Sequence, residues 1–201
     1  MSLELAGRRI TLRPLELKDW PAYREVRRRN VDWLLKWEPA RPAGQPDPVE
    51  SRDAFAARCS ARQRERQLGT GYGFGIFVRS AGGLVFGGEI NLSSVQRGPF
   101  QSGHVGYWVD KAQAGRGYCP EAVVVLARFA FDELLLHRIQ ISIIPRNAAS
   151  RRVVDKLGVR DEGVAVRYLR IADAWEDHIR YALTYEEWEE RRVDLLRDWV
   201  F

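Results

Sequence analysis

Apolar and polar residues alternate along residues 9–13, with Ile10 and Leu12 on one face and Arg9, Thr11 and Arg13 on the other. That period of two predicts an opening strand, closed by Pro14. Lys18, Asp19, Trp20 and Pro21 then read as a helix entry. Lys18 or Asp19 lies near the cap, and Pro21 falls early enough to forfeit no intrahelical hydrogen bond. The helix continues through Tyr23 and Val26. A loop containing Trp33, Trp37 and the proline-rich residues 39–48 follows, because prolines interrupt helical hydrogen bonding. Residues 49–67 resume as helix.

Two apolar runs, residues 72–78 and 84–92, flank the turn signal Ser80-Ala81-Gly82-Gly83 and predict an antiparallel hairpin. Residues 104–109 form a further strand, with Val105, Tyr107 and Val109 on one face and His104, Gly106 and Trp108 on the other. From Glu121 the spacing of Val124, Val125, Leu126, Phe129 and Leu135 predicts a helix reaching about Leu136. Ile139, Ile141 and Ile143 return to a period of two, and Ile144 adds apolar character to the opposite face, as an interior strand requires. Residues 147–157 predict a short helix ended by Gly158, and residues 164–171 and 175–183 a hairpin around Ala172-Asp173-Ala174. Residues 185–199, with Trp188, Val193, Leu195 and Leu196 among charges, predict an amphipathic terminal helix. The pattern is that of a mixed α/β fold, and 201 residues without internal repeat suit one domain over residues 1–201.

Composition narrows the class. With 45% hydrophobic and 29% charged residues the chain is neither disordered nor fibrous. An acid at Glu4 interrupts the place where a signal peptide needs its apolar run, and no apolar segment reaches membrane-spanning length. A cytoplasmic protein without a membrane partner is expected. Cys59 and Cys119 lack metal-ligand or redox spacing, so reduced thiols and no metal site are expected. A net charge of +5 favours encounter with an acidic surface, nucleic acid or a polyanionic cofactor without selecting among them. Arg58, Arg62, Arg64 and Arg66 are grouped with Gln63 and Glu65; a solvated helix face is the first reading of this stretch, and a contact with RNA or the ribosome the second.

Candidate chemistry sits where strand meets helix. After Val109 the chain runs Asp110-Lys111-Ala112-Gln113-Ala114-Gly115-Arg116-Gly117-Tyr118 into the long helix. Gly115 and Gly117 allow successive backbone N–H groups to turn toward a phosphate, and a helix N-terminus adds favourable partial charge. There is no Gly-Lys-Ser or Gly-Lys-Thr ending of a nucleotide-triphosphate loop, nor a Gly-x-Gly-x-x-Gly dinucleotide pattern.

These residues resemble the GCN5-related N-acetyltransferase (GNAT) superfamily, in particular its RimJ/RimL branch, which acetylates ribosomal protein N-termini. The family frame of Gln or Arg, two variable residues, Gly, one variable residue, then Gly or Ala falls on residues 112–117, with Ala112 in the first place and Gln113 one place late. The likeness extends to Val105-Gly106-Tyr107-Trp108-Val109 before the turn, to Ile144-Pro145-Arg146-Asn147-Ala148-Ala149-Ser150 after the next strand, and to Lys156-Leu157-Gly158-Val159. It implies a splayed central mixed sheet flanked by helices, with acetyl-CoA as donor. The donor's pantetheine arm would pair with the strand holding Tyr107, Trp108 and Val109. Its pyrophosphate would meet Gln113, Ala114, Gly115, Arg116, Gly117 and Tyr118, with Asn147 and Ser150 near the arm. Asn147 as a plain helix cap is the alternative, and both roles can coexist.

Acetyl transfer to an amine needs a proton acceptor, a polarised thioester and protonation of the departing thiolate. Glu89, in an otherwise apolar strand, is the first base candidate, and a strand carboxylate paired with an arginine is its structural alternative. His104 ranks second. Ser150 matches the serine that the family places near the donor sulfur; capping of helix-start N–H groups is its alternative. Cys119 without a paired base makes a poor nucleophile. Trp33 and Trp37, with Glu89, are candidates for the acceptor wall, and Glu38 or Asp32 for an ammonium partner. The resemblance implies a protein N-terminal amine, with a ribosomal protein or the ribosome as partner. Aminoglycosides or other small amines, a non-catalytic ribosome- or RNA-binding role, and a monomer or a homodimer stay open.

Overall fold

The computed structural model describes residues 3–201 and contains one eight-stranded mixed sheet with helices on both faces. In chain order the elements are β1 (Leu5–Ala6), β2 (Ile10–Arg13), α1 (Trp20–Arg29), α2 (Val31–Leu34), α3 (Arg52–Leu68), β3 (Tyr72–Ser80), β4 (Gly83–Gln96) and β5 (Ser102–Val109). They continue as α4 (Tyr118–Arg128), β6 (Arg138–Ile143), α5 (Ala148–Lys156), β7 (Arg160–Ile171), β8 (Ala174–Thr184) and α6 (Tyr185–Trp199). The strand order is β1-β2-β3-β4-β5-β6-β8-β7. Every neighbouring pair is antiparallel except β5 with β6, which run parallel through Ser102↔Arg138, Gly103↔Ile139 and His104↔Gln140. Beyond His104 the two strands part.

Strand alternation assigns two cores. Ile10, Leu12, Phe74, Ile76, Ile90, Leu92 and Val105 pack beneath α4, whose residues from Val123 to Leu126 are all buried, and the fully buried Trp188 of α6 joins them. The opposite face holds a smaller cluster of Tyr23, Val26, Phe55, Phe77 and Phe86 under α1 and α3, with Trp108 against it.

One buried carboxylate ties the first core together. Glu121, in the first turn of α4 and fully buried, accepts the Arg9 N–H at 2.6 Å, the Ile10 N–H at 3.2 Å and Arg9 Nε at 2.8 Å. It thereby satisfies backbone donors at the start of β2 that reach no neighbouring strand, and it fixes the N-terminus of α4 against the sheet. Gly7 leaves room for it, since a Cβ there would stand 2.7 Å from Glu121 Oε1.

The structure departs from the sequence pattern in three places. Trp33 and Trp37 lie not in a loop but in α2 and the 3₁₀ turn Leu35–Trp37 that follows it. The long helix ends at Arg128 and widens into a π-helical turn, Phe129–Glu133. Asp19 precedes α1 without capping it, because its carboxylate is held by Arg13 at 2.7 and 2.8 Å and by the Glu16 N–H at 2.8 Å. No helix among the described residues is long and apolar enough to cross a membrane, and among them no group of three metal-ligating side chains converges.

Replacing Glu121 with alanine strands two backbone donors and opens a void, so Glu121→Ala should lower unfolding free energy by about 3 kcal/mol. Urea denaturation checks this; a loss below about 1 kcal/mol would show that water satisfies the same donors.

Candidate active site

The parting of β5 and β6 leaves part of a strand edge unpaired. The Asp110 N–H donates to Gly87 O at 2.7 Å, and the Arg138 N–H to Gln101 O at 3.1 Å. Even-numbered residues of β5 therefore turn their backbone groups to β4, and odd-numbered ones toward β6. With β6 gone after Gln140, Tyr107 and Val109 face the gap. Trp33 Nε1 takes the Val109 carbonyl at 3.2 Å, which leaves the Tyr107 N–H and C=O without a strand partner. A cavity of ≈ 1390 Å³ passes through this gap, lined by Tyr118, Asn147 and Val153 on the α4 and α5 side and by Tyr23, Arg58, Glu89 and Trp108 on the α1 and α3 side.

The turn below β5 is held by Asp110. Its buried carboxylate accepts Asn30 Nδ2 at 2.8 Å and the Ala112 N–H at 3.1 Å, and pairs with Arg29. Asn30 Oδ1 accepts the Lys111 N–H at 2.9 Å in return. Burial pushes the Asp110 carboxyl upward, but hydrogen bonds from Arg29, Asn30 and the Ala112 N–H outweigh it and hold the group below the usual carboxylate range. Gly115 and Gly117 then adopt φ of 78° and 85°, the left-handed region that glycine enters freely. Among the described residues no group accepts from the N–H groups of Gly115, Arg116 or Gly117, which precede the open first turn of α4. The turn has the geometry that an anion-binding loop requires.

Gln113, Ala114, Gly115, Gly117 and Tyr118 line the cavity; Arg116 does not, and its carbonyl accepts Arg9 Nη1 at 2.8 Å. Gln113 Oε1 is buried there without a donor, as a residue awaiting a ligand N–H would be. On α5, Arg152 and Lys156 line the same end and have no acid partner among the described residues. Three features on this side of the gap thus fit a phosphate-bearing ligand with an amide arm: open backbone donors, an unpaired strand edge and free cations.

Asn147 caps α5, its Oδ1 accepting the Ser150 N–H at 3.1 Å. Ser150 is not itself a cap. Its hydroxyl donates to Tyr107 Oη at 3.1 Å, and the Tyr107 hydroxyl donates to the Ser150 carbonyl at 3.1 Å. Burial pushes the Tyr107 phenol well above its usual range, although the Ser150 hydrogen bond pulls the other way, so the ring stays a neutral donor. Cys119 lies beside this pair in the cavity wall, its thiol pushed up to about 12 by burial.

Across the gap Glu89 is nearly buried. Arg58 Nη2 donates to its Oε1 at 2.6 Å and Trp108 Nε1 to its Oε2 at 3.1 Å, so the arginine pairing expected as an alternative is present. Arg27 forms a bidentate pair with Glu38 and stands 5.2 Å from the Trp108 ring centroid. The Tyr23 phenol is raised to about 12, first by burial and then by Glu89. Trp33 and Trp37 both line the cavity, with Lys36 and Arg146 standing 5.2 and 5.6 Å from the Trp37 ring centroid.

Not every candidate converges here. His104 does not line the cavity: it sits at the closed end of the gap opposite Ser93 and Gln140, held below its usual range by burial and by Arg180 and Arg138. Asp32 also stays outside, while Glu38 lines the cavity already paired. Reading the sequence missed Tyr23, Arg27, Arg58 and Asn91. Of these only Arg58 carried a signal, since Arg58, Arg62 and Arg66 recur at the helical spacing of four and all face the cavity. The solvated-face reading holds for Arg64 alone, which does not.

Residues 9–160 match the acetyltransferase (GNAT) domain family. The chain is 34% identical over 174 residues to the probable N-acetyltransferase YjcK of Bacillus subtilis, covering 87% of this chain and 93% of that protein. It is 30% identical over 163 residues to the ribosomal protein uS5 alanine N-acetyltransferase of Escherichia coli, covering 81% of each. Mycobacterium smegmatis RimJ, solved in complex with CoA-disulfide, superposes with a TM-score of 0.85 at 28% identity, over 98% of this chain and 93% of that one.

The two thiols differ in burial, and alkylation reads the difference. Burial raises both, Cys59 being half-buried and Cys119 fully so. At pH 8, iodoacetamide should modify Cys59 first and Cys119 at least about tenfold more slowly. Peptide mass spectrometry over time checks the order; equal rates would place Cys119 at an open surface.

Proposed function

This chain belongs to the GNAT acetyltransferase family and is an acetyl-CoA-dependent N-acetyltransferase, and we propose that its acceptor is the α-amine of a protein N-terminus, with a cytoplasmic ribosomal protein foremost. The observation that carries the reading is the cavity through the sheet, which joins open backbone donors on one face to the Glu89 carboxylate on the other. The E. coli relative, named for alanine acetylation of ribosomal protein uS5, supports the choice of acceptor.

Acetyl-CoA supplies an activated thioester, and the residues of the chain bind and orient it. The N–H groups of residues 115–118 and the start of α4 receive its phosphates, and the free N–H and C=O of Tyr107 receive its amide arm. The Gln113 amide oxygen takes an N–H of the same ligand.

Glu89 receives the amine. Each carboxylate oxygen spends one acceptor position on Arg58 or Trp108 and keeps another, so Glu89 still holds an ammonium or takes its proton directly or through water. Ser150 Oγ serves the departing sulfur. As its proton turns to sulfur, the neutral Tyr107 hydroxyl turns from the Ser150 carbonyl to Ser150 Oγ and keeps that oxygen satisfied.

Incubation with acetyl-CoA and N-terminal peptides, followed by mass spectrometry, should place one acetyl group on the α-amine; transfer only to small amines would overturn the acceptor. Under single turnover, Glu89→Gln should slow transfer by about 10²-fold and change its pH dependence, and in the steady state Ser150→Ala should lower kcat more than it raises acceptor KM. Parent rates in both would remove these roles.

The cradle is best probed at Gly115, where a Cβ meets nothing within 4 Å, whereas one at Gly117 would come within 3.1 Å of Arg9 Nη2. Gly115→Ala and Gly115→Glu carry the same backbone strain. Calorimetry should find acetyl-CoA bound more weakly by Gly115→Glu than by Gly115→Ala, and equal affinities would move the phosphates elsewhere.

A further inference from the structure

The arginines of α3 form a stripe along the acceptor side of the cavity. Arg58, Arg62 and Arg66 all line it, one helical turn apart, so the stripe advances about 12 Å from Glu89 outward. Their states differ along that line. Arg58 is neutralised by Glu89. Arg62 contacts Glu65 at 2.9 Å and lies flat across β3, where a Cβ on Gly73 would stand 3.2 Å from its Cδ. Arg66 has no acid partner among the described residues and is half-buried at the outer end.

Charge on the chain thus rises from balanced at the inner end to uncompensated at the mouth. An extended peptide advances about 3.3 Å per residue, so a chain with its amine at Glu89 lays its next three or four residues beside Arg62 and Arg66. We propose that these two arginines select acceptors with acidic side chains at the second to fourth positions of the N-terminus, an inference that rests on the peptide acceptor proposed above. The donor's phosphates do not explain the stripe, because the cradle and α5 lie on the other face of the sheet. A row one side chain wide that leads inward to a carboxylate fits a single chain end.

Three peptides that begin with alanine and share one tail, differing only in Glu, Gln or Lys at positions two to four, test this with the full chain and saturating acetyl-CoA. The acidic peptide should exceed the neutral one in kcat/KM by about fivefold or more at low salt, with the basic one lowest, and the spread should narrow as salt rises. Arg66→Glu with Arg62→Gln should reverse the order, and calorimetric acetyl-CoA affinity equal to the parent's shows that the variant is folded. Equal kcat/KM for all three peptides overturns the inference and leaves the peptide acceptor standing. Transfer to small amines with none to any peptide overturns both. Equal kcat/KM for the three peptides, together with tight binding of a short single-stranded RNA that the same double variant loses, assigns the stripe to nucleic acid and also overturns the inference.

Discussion

The parallel ladder between β5 and β6 stops after His104 pairs with Gln140, and the working parts of the molecule depend on that stop. A strand in the middle of a sheet that loses its neighbour is left with polar groups that must be satisfied or hydrated. The chain satisfies one of them itself, through the Trp33 indole on the Val109 carbonyl, and leaves Tyr107 open. Side chains hold the gap apart. The Tyr107 phenol reaches α5 and exchanges hydrogen bonds with Ser150, while Asn147 fixes the first turn of the same helix. The opening is therefore built with its own struts and does not arise from missing contacts.

Asp110 connects the two sides. Its carboxylate gathers Arg29 and Asn30 at the end of α1 together with the Ala112 N–H in the turn that leads to Gly115. Trp33, three residues after Asn30, covers the last carbonyl of β5. The segment that walls the acceptor side and the turn that faces the donor side thus hang on one buried group, with all its strong partners charged or amide donors. On the proposed reading, these hydrogen bonds join the donor and acceptor sides in addition to the β4–β5 ladder, which pairs Glu89 with Trp108.

Much of this was legible from alternation and turn chemistry. β3, β4, β5, β6 and α6 lie close to where their patterns place them, because their buried faces have no competing local preference. The prolines of residues 39–48 suggest a loop that does not extend back to Trp33 and Trp37. Trp33 and Trp37 belong to short helical turns fixed by Asn30 and by contacts across the cavity, and such contacts leave no periodic trace. Alternation puts His104 on the face shared by Gly106 and Trp108 but does not show how far along the strand the cavity reaches. Glu89 pairs with Trp108, four residues further on, which is about 13 Å away, and only register supplies that distance. The Arg58, Arg62 and Arg66 stripe was visible as charge, yet hydropathy cannot tell an arginine that faces water from one that faces a cavity.

Placing Glu89 against Arg58 resolves a conflict that a lone base would face. An unpaired carboxylate in this wall would be costly to bury and would hold a substrate ammonium as a stable ion pair, which is the wrong state for attack. Arg58 changes the balance, whereas the charge of Arg27 is already matched by Glu38. The positive charge of Arg58 satisfies the carboxylate and makes an arriving ammonium less stable relative to the neutral amine. On the proposed reading, Arg58 therefore favours loss of the acceptor's proton, while the second lone pair on each Glu89 oxygen stays free to receive it. The same pairing keeps the inner end of the cavity neutral overall. On that reading, selectivity for charge falls to the outer arginines, which the reacting nitrogen never touches, so one helix supports proton transfer at Glu89 through Arg58 and recognition through Arg62 and Arg66.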